Sequence, residues 1–436
     1  MKTIARFFKF DELDTNFRLE TIGGVTTFMT MAYIVAVNPG ILSDALGRDL
    51  FGELVFATCV SAAIATLLMG LLANYPFALA PGMGLNAFFS YGVVLGMGVH
   101  WELALGVVLA SGLLFVLLTL LKVREAIITA VPESLKRSTA AGIGLFIAFI
   151  GLKNAGVIVA DEATLVSLGD VKTGPVGLVF LGVLGTGVMM VRGIRAAIFL
   201  GIVGISVLAM ILGVSPWPQE IVSLPVWPVH LFGVAVENLP VAFHVGLIEL
   251  VFAFLFVDLF DTMGTLVGLS ERVGFLNKAG QLPRANRALL ADSVGTVCGG
   301  ILGTSTVTTY VESASGISTG ARTGFANVIT GVLFLVALFF TPVIQSVPLF
   351  ATSPALVMVG VLMMLPVVNI DWQDVSEALP AFLTLIAIPL TFSISDGLAL
   401  GFVSYPIVKR LGGKGDDVHA LVDVLAVIFI AKYLFM

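Results

Sequence analysis

Val257-Asp258-Leu259-Phe260-Asp261-Thr262-Met263-Gly264-Thr265 is the stretch on which the reading of this 436-residue chain turns. It lies in the middle of an apolar run from Val245 to Leu269. At ~1.5 Å per residue that run is long enough to cross a bilayer's hydrocarbon core. Its two carboxyl groups therefore fall near the midplane, where a charge costs at least ~2.5–3.5 kcal/mol and normally faces a cavity or a partner. Asp258, Asp261, Thr262 and Thr265 are spaced i, i+3, i+4, i+7, which gathers them on one face of a helix otherwise made of Phe, Leu and Val. Two protonated aspartates holding helices together is the plainer alternative, but one carboxyl would do that at lower cost.

The rest of the chain agrees with a membrane setting. It is 58% hydrophobic and 11% charged, whereas a soluble domain carries roughly 25% charged residues. The net charge of −6, with no basic patch, excludes a nucleic-acid partner. Cys59 and Cys298 each sit inside an apolar span and suggest neither a disulfide framework nor a metal site. His100, His230, His244 and His419 are scattered near span ends and form no ligand cluster; no cofactor is implied. The N-terminus mixes Lys2, Arg6 and Lys9 with Asp11, Glu12 and Asp14, which no signal peptide does.

Apolar spans are expected at about 21–41, 53–73, 78–97, 101–121, 138–157, 174–191 and 195–213. A second set follows at 245–269, 286–302, 304–318, 321–345, 352–368, 378–394 and 395–411. A further apolar run, 418–435, either spans or lies at the interface. With the N-terminus in the cytoplasm, 18 of the 22 basic residues fall on the cytoplasmic side: Lys2, Arg6, Lys9, Arg18, Lys122, Arg124, Lys136, Arg137, Arg192, Arg195, Arg272, Lys278, Arg284, Arg287, Arg322, Lys409, Arg410 and Lys414. The segment 214–244 holds none and belongs outside, its Trp217, Trp227 and prolines suiting an irregular cover. Seven spans before that segment is an odd number, so the two sets of seven enter from opposite sides. That is the signature of an inverted repeat, as in many secondary transporters. Spacing supports it: Asn86 lies 55 residues past the centre of the first span at 31, and Glu312 lies 55 past that of the eighth at 257.

Both endpoints fall in segments that make poor helices. Pro76, Pro81, Gly82 and Gly84 interrupt the third span before Asn86. Thr304-Ser305-Thr306-Val307-Thr308-Thr309-Tyr310-Val311 in the tenth is rich in β-branched residues and reads as extended, with Glu312 placed to start a helix. Lipid forbids unpaired backbone, so the two extended halves are expected to pair with each other at the midplane. Short helices would then start toward a common pocket, and interrupted segments at corresponding places in two repeats point to a transporter's binding site. The pocket candidates are Asn86, Asp258, Asp261 and Glu312, with Phe88, Thr262 and Thr308 near. Carboxyls and an amide offer several acceptors and donors to a flat, uncharged, polar ring, on which Phe88 could stack. No Arg or Lys lies within these spans, so a strongly anionic ligand is not expected.

These residues carry a resemblance. Thr26-Thr27-Phe28-Met29-Thr30-Met31-Ala32-Tyr33-Ile34-Val35 with Asn38-Pro39, and Ala80-Pro81-Gly82-Met83-Gly84-Leu85-Asn86-Ala87-Phe88-Phe89, are similar to the AzgA-like purine permeases. So are Asp258 to Thr265, Pro283-Arg284, Ala291-Asp292-Ser293, and Gly303 to Thr308 through Tyr310-Val311-Glu312-Ser313. Those permeases belong to the nucleobase–ascorbate (nucleobase–cation symporter 2) superfamily. The resemblance runs over nearly the whole chain. It implies an all-α polytopic fold of 14 transmembrane segments in two inverted repeats of seven, with short extended stretches in spans 3 and 10. Residues 1–20 would be a cytoplasmic segment, 21–121 and 245–345 the halves of a core domain, and 138–213 and 352–411 the halves of a gate domain. Residues 214–244 would connect them outside the cell. The resemblance also implies elevator-like uptake of adenine, guanine or hypoxanthine with H+, across the cytoplasmic membrane, in a lipid bilayer and in relatives as homodimers. By motif, Asn86, Asp258 and Glu312 would contact the purine, with Asp261 shaping the site. Uracil and xanthine relatives carry a glutamate in the eighth span and usually a histidine one turn on; here those places hold Asp258 and Thr262, which favours the purine branch.

Burial favours the neutral form of a carboxyl group, which can then donate to a purine and lose its proton on the cytoplasmic side. Glu312 and Asp258 are the candidates for that proton, and coupled groups can share one. Three other readings compete, one of them a sensor or scaffold without transport, which a flux assay separates. An intramembrane aspartyl hydrolase would use Asp258 or Asp261 in a dyad, but no Gly-x-Gly precedes either. An anion exchanger or channel on the same fold would carry a basic residue, not three carboxyls, at the midplane.

Overall fold

The computed structural model describes residues 2–121, 130–244, 246–277 and 282–435. Val245 and, among the basic residues counted above, Lys122, Arg124 and Lys278 lie outside them. The first half runs α1 (Lys2–Phe7), α2 (Phe17–Met31), α3 (Ile34–Leu46), α4 (Phe51–Leu68), β1 (Leu79–Pro81), α5 (Met83–Ala87), α6 (Trp101–Leu120) and α7 (Glu133–Asn154). A hairpin, β2 (Ile158–Asp161) and β3 (Leu165–Leu168), precedes α8 (Gly174–Val191) and α9 (Ala197–Ile211). Two short helices, α10 (Val234–Glu237) and α11 (Leu239–Ala242), lie in the connection. The second half runs α12 (Ile248–Val273), α13 (Ala285–Leu302), β4 (Val307–Thr309), α14 (Ser313–Ser318), α15 (Gly324–Ala337), α16 (Thr341–Gln345), α17 (Leu349–Met363), α18 (Val375–Thr391), α19 (Ile394–Leu411) and α20 (Ala420–Phe435).

Eight helices among the described residues are long and apolar enough to cross a bilayer. Of the other expected spans, three hold shorter apolar helices (Met83–Val94, Ala197–Ile211 and Val375–Thr391), 304–318 is a strand–helix segment, and 286–302 and 395–411 are 18-residue helices of lower hydropathy, so the protein is multi-pass. The order helix, helix, strand with short helix, then four helical segments recurs in each half. At the two strands the halves meet. β1 and β4 pair antiparallel, with Leu79 opposite Thr309, Ala80 opposite Thr308 and Pro81 opposite Val307. The ladder extends on both sides: Gly82 N–H donates to the Thr306 carbonyl and Tyr310 N–H to that of Ala78, each at 2.9 Å. Side-chain hydroxyls take outward-facing amides, Thr66 from Leu79, Ser313 from Ala78 and Thr296 from Val307. Pairing plus these hydroxyls is what permits extended backbone at membrane depth.

Two groups of helices pack around this centre. α15 lies on α2 and α4, α13 on α4 and α6, and α12 on α6. Separately, α7 packs on α17 and α18, α19 on α18, and α8 and α9 on each other and on α17. Glu20, fully buried on α2, ties the first group together by accepting the N–H groups of Arg322, Thr323 and Ala326 at the start of α15. Where α4 ends in a widened turn, Met69–Ala73, Gly70 meets Gly324 backbone to backbone; a Cβ on Gly70 would lie 2.6 Å from the Gly324 carbonyl oxygen. Such small-residue contacts replace the hydrophobic drive that lipid cannot supply.

The connection 214–244 is irregular, as its composition suggests, and is fastened to the helix ends. His230 donates its N–H to Glu53 at 2.9 Å and sets its ring nitrogen 2.7 Å from the same carboxylate. Trp227 meets Phe56 edge-on at 5.3 Å. The β2–β3 hairpin was not expected from the sequence. It is held at its turn by Asp161, which accepts the N–H groups of Ala163 and Thr164 at 2.9 Å. The run 418–435 forms a helix against α19, with an Arg410–Asp423 ion pair and a 2.6 Å bond from Tyr433 to Asp396.

Candidate functional site

Between the two helix groups lies a cavity of about 540 Å³. One wall comes from α12, the end of β4, α14, the start of α5 and the break between α2 and α3. It presents Phe260, Asp261, Gly264 and Thr265, then Thr308 to Glu312, with Thr30, Tyr33, Met83 and Gly84. The facing wall, from α7, α8, α9 and α17, is apolar: Ala140, Met190, Ile198, Val359 and Met363 among others. Its exception is Arg195, which the sequence places only in the cytoplasmic set.

The rotation of α12 separates its polar residues. Successive helix positions turn by about 100°, so Asp261 and Thr265 sit to one side of the common face and Asp258 and Thr262 to the other. Asp261 and Thr265 look into the cavity. Asp258 and Thr262 are buried against α13, where Thr262 donates to Asp292 at 2.9 Å and Thr296 bonds Asp258 at 3.1 Å. Thr296 also bonds the Val307 carbonyl at 3.0 Å, so these aspartates register α12 and α13 against β4.

The other candidates divide the same way. Thr308 and Glu312 line the cavity beside Asp261. Glu312 accepts a 2.5 Å hydrogen bond from the Tyr33 hydroxyl. Asn86 is fully buried one turn into the helix that Gly82 opens, and its amide donates to Asn38 at 2.9 Å. Asn38 in turn donates to Thr58 and Thr304. Phe88 is also fully buried, with its ring 5.0 Å from that of Phe254. Thus the structure brings Asp261, Thr308 and Glu312 together at the cavity and sets Asn86, Phe88, Asp258 and Thr262 behind its wall.

Tyr33, Phe260, Tyr310 and Arg195 are cavity residues that the sequence reading did not single out. Tyr310 had a signal: in an extended strand Thr308, Tyr310 and Glu312 share one side. Two carboxyls, seven hydroxyls and an aromatic flank can bind a small polar ring through several simultaneous donor and acceptor contacts.

Paired broken segments beside a polar cavity define the fold of a membrane transporter. The same fold is seen in the transmembrane domain of the cyanobacterial bicarbonate transporter BicA, with a TM-score of 0.64 and 17% identity over 88% of this chain and 97% of that one. It is seen again in murine solute carrier 26 family member A9, an anion transporter, with a TM-score of 0.61 and 10% identity over 91% and 69% of the two chains. At such identities the likeness is one of fold alone. Residues 18–400 match the Permease family, and the chain belongs to it. A putative permease of Methanocaldococcus jannaschii is 53% identical over all of this chain and 99% of its own. The guanine/hypoxanthine permease PbuG of Bacillus subtilis is 48% identical over the full length of both, and the adenine permease AdeP of Escherichia coli 43% identical over 99% and 96%. The family agrees with the resemblance carried by the motifs. Permeases are transporters and not enzymes.

Proposed function

We propose that the protein takes up purine nucleobases, adenine, guanine or hypoxanthine, together with a proton across the cytoplasmic membrane. The observation that carries this reading is the pair of cavity carboxyls, Asp261 and Glu312, set among hydroxyls at the junction of the two broken segments. The names of PbuG and AdeP supply the ligand class. A purine offers ring nitrogens and an exocyclic amine or carbonyl, which match neutral and ionised carboxyls, and Phe260 gives it an aromatic neighbour. The polar helix group with its two broken segments would carry the ligand past the apolar wall of α7–α9 and α17–α19, as a core sliding on a gate. The N-terminus would face the cytoplasm.

Within this reading Asp261, Thr308 and Glu312 touch the base, while Asn86, Phe88, Asp258 and Thr262 keep the wall in shape. Asp261→Asn then weakens purine binding while the thermal midpoint stays near that of the parent. Asp258→Asn instead lowers stability by about 1–3 kcal/mol, because a buried acceptor becomes mismatched. Thermal unfolding and equilibrium binding on both variants separate the two; a stable Asp258→Asn protein with lost binding reverses the assignment.

Anion exchange on the same fold is favoured by one observation, the Arg195 side of the cavity. The two carboxyls opposite it work against an anion. Purified protein in liposomes decides the matter. Labelled purine uptake should rise with an inside-alkaline pH gradient, and a hundredfold excess of unlabelled uracil should leave it unchanged. Strong competition by uracil would overturn the purine reading, and uptake indifferent to the gradient would overturn the coupling.

A further inference from the structure

Tyr33 stands where the first membrane segment breaks. Pro39 has no N–H, so the carbonyl of Val35 loses its helical partner, and the ring crowds the preceding turn. The chain tightens just upstream: Val35 and Ala36 donate to the carbonyls three residues before them, Ala32 and Tyr33, each at 3.1 Å. This break faces the cavity, and it fixes a phenol that is only 2% exposed. The hydroxyl donates to Oε1 of Glu312 at 2.5 Å, across 279 residues of sequence. The neighbouring Thr30 hydroxyl lies 3.4 Å from the Glu312 carbonyl oxygen.

We propose that Tyr33 is the positioning residue for the proton on Glu312. By holding Oε1, it leaves Oε2 as the oxygen that takes the proton, donates to the ligand and later releases the proton to water. This rests on the proton-coupled reading above. The phenol can donate to Oε1 whether the carboxyl is neutral or ionised, so the side chain keeps its orientation while its charge changes. A hydrogen bond to the ionised form favours that form, which makes the proton releasable in a site with little water. Among the described residues, the other titratable or charged groups lining this cavity are Asp261 from α12, Tyr310 from the end of β4 and Arg195 from the opposite wall. Tyr310 is engaged elsewhere, donating to the Pro81 carbonyl at 2.5 Å. Tyr33 is therefore the phenol bonded to the Glu312 carboxyl.

The test compares Tyr33→Phe, Tyr310→Phe and Glu312→Gln in liposomes, measuring purine uptake against pH. Phe fills the space of Tyr33 and removes only the donor. Without that donor Glu312 holds its proton to higher pH, so the falling limb of uptake moves up by half a unit or more. KM rises about threefold to tenfold as the carboxyl loses its fixed orientation. Tyr310→Phe lowers the thermal midpoint and leaves the limb in place. In a Glu312→Gln background, Tyr33→Phe shifts no pH limb. A parental limb in Tyr33→Phe, with or without a lower thermal midpoint, overturns the inference. Were Glu312→Gln to keep a parental limb and gradient response, the coupling reading itself would fail, a result distinct from failure of the Tyr33 role alone.

Discussion

Glu312→Gln should exchange purine across the membrane at a rate close to that of the parent yet fail to concentrate it. Glutamine keeps the shape of the side chain, accepts the Tyr33 hydroxyl through its carbonyl and still donates to a ligand through its amide. It has no proton to release. For one proton per purine, each pH unit supplies about 1.4 kcal/mol, a tenfold accumulation at equilibrium. A one-unit inside-alkaline gradient should therefore give the parent about ten times more purine inside than outside, and the variant about equal amounts. Counterflow of labelled against unlabelled purine, which needs no net proton movement, should survive. A variant that still concentrates tenfold removes Glu312 from the coupling step and turns attention to Asp261.

The second large effect concerns the fold. Gly324 opens α15, with its N–H on the Asn74 side chain at 2.7 Å and its Cα against the backbone of Gly70. In Gly324→Ala the new methyl meets the carbonyl carbon and Cα of Gly70, which cannot rotate away as a side chain could. α15 must back off, and with it go the Glu20 cap on the same helix start and the 2.7 Å bond from Asn327 to the Phe77 carbonyl. Overpacking alone costs about 1–3 kcal/mol and a lost cap about 1 kcal/mol more. The thermal midpoint in detergent should fall by several degrees, or the protein should fail to elute as one species. Gly264→Ala serves as the contrast, because nothing lies within 4 Å of a Cβ there; it should fold like the parent while narrowing the cavity. A Gly324→Ala protein that melts with the parent would mean that the two helices are not held in this contact.

Much of this architecture could be read from residues alone. The equal offsets of Asn86 and Glu312 locate both breaks, and the prohibition on unpaired backbone in lipid leads from those breaks to the β1–β4 pair. What the sequence hides is rotation. The polar face of α12 is flanked by Phe, Leu and Val on both sides, so the pattern does not tell which side of the Asp258–Thr265 face turns to the cavity. The 60° between Asp258 and Asp261 decides between a ligand-facing carboxyl and one buried on Thr296. Tyr33 was hidden differently: a tyrosine in an apolar run looks like packing until Glu312, far along the chain, is placed beside it. The β2–β3 hairpin escaped because its short strands lie between long apolar runs and alternate only weakly.

The β1–β4 pair also sets a timetable for synthesis. Leu79 leaves the ribosome 230 residues before its partner Thr309. At ~5–20 residues per second that is a wait of roughly 10–50 s. Throughout it, Thr66 can serve Leu79, but in this stretch the Ala78 carbonyl and the Gly82 amide lack the partners, Tyr310 and Thr306, that the second half brings. Lipid will not accept such a stretch, so the insertion machinery or water must shelter it until the second half arrives. The first half is then not an independent folding unit. A chain released after α9 should be handed to quality-control proteases, and the completed repeat pair should enter the bilayer as a single cooperative event.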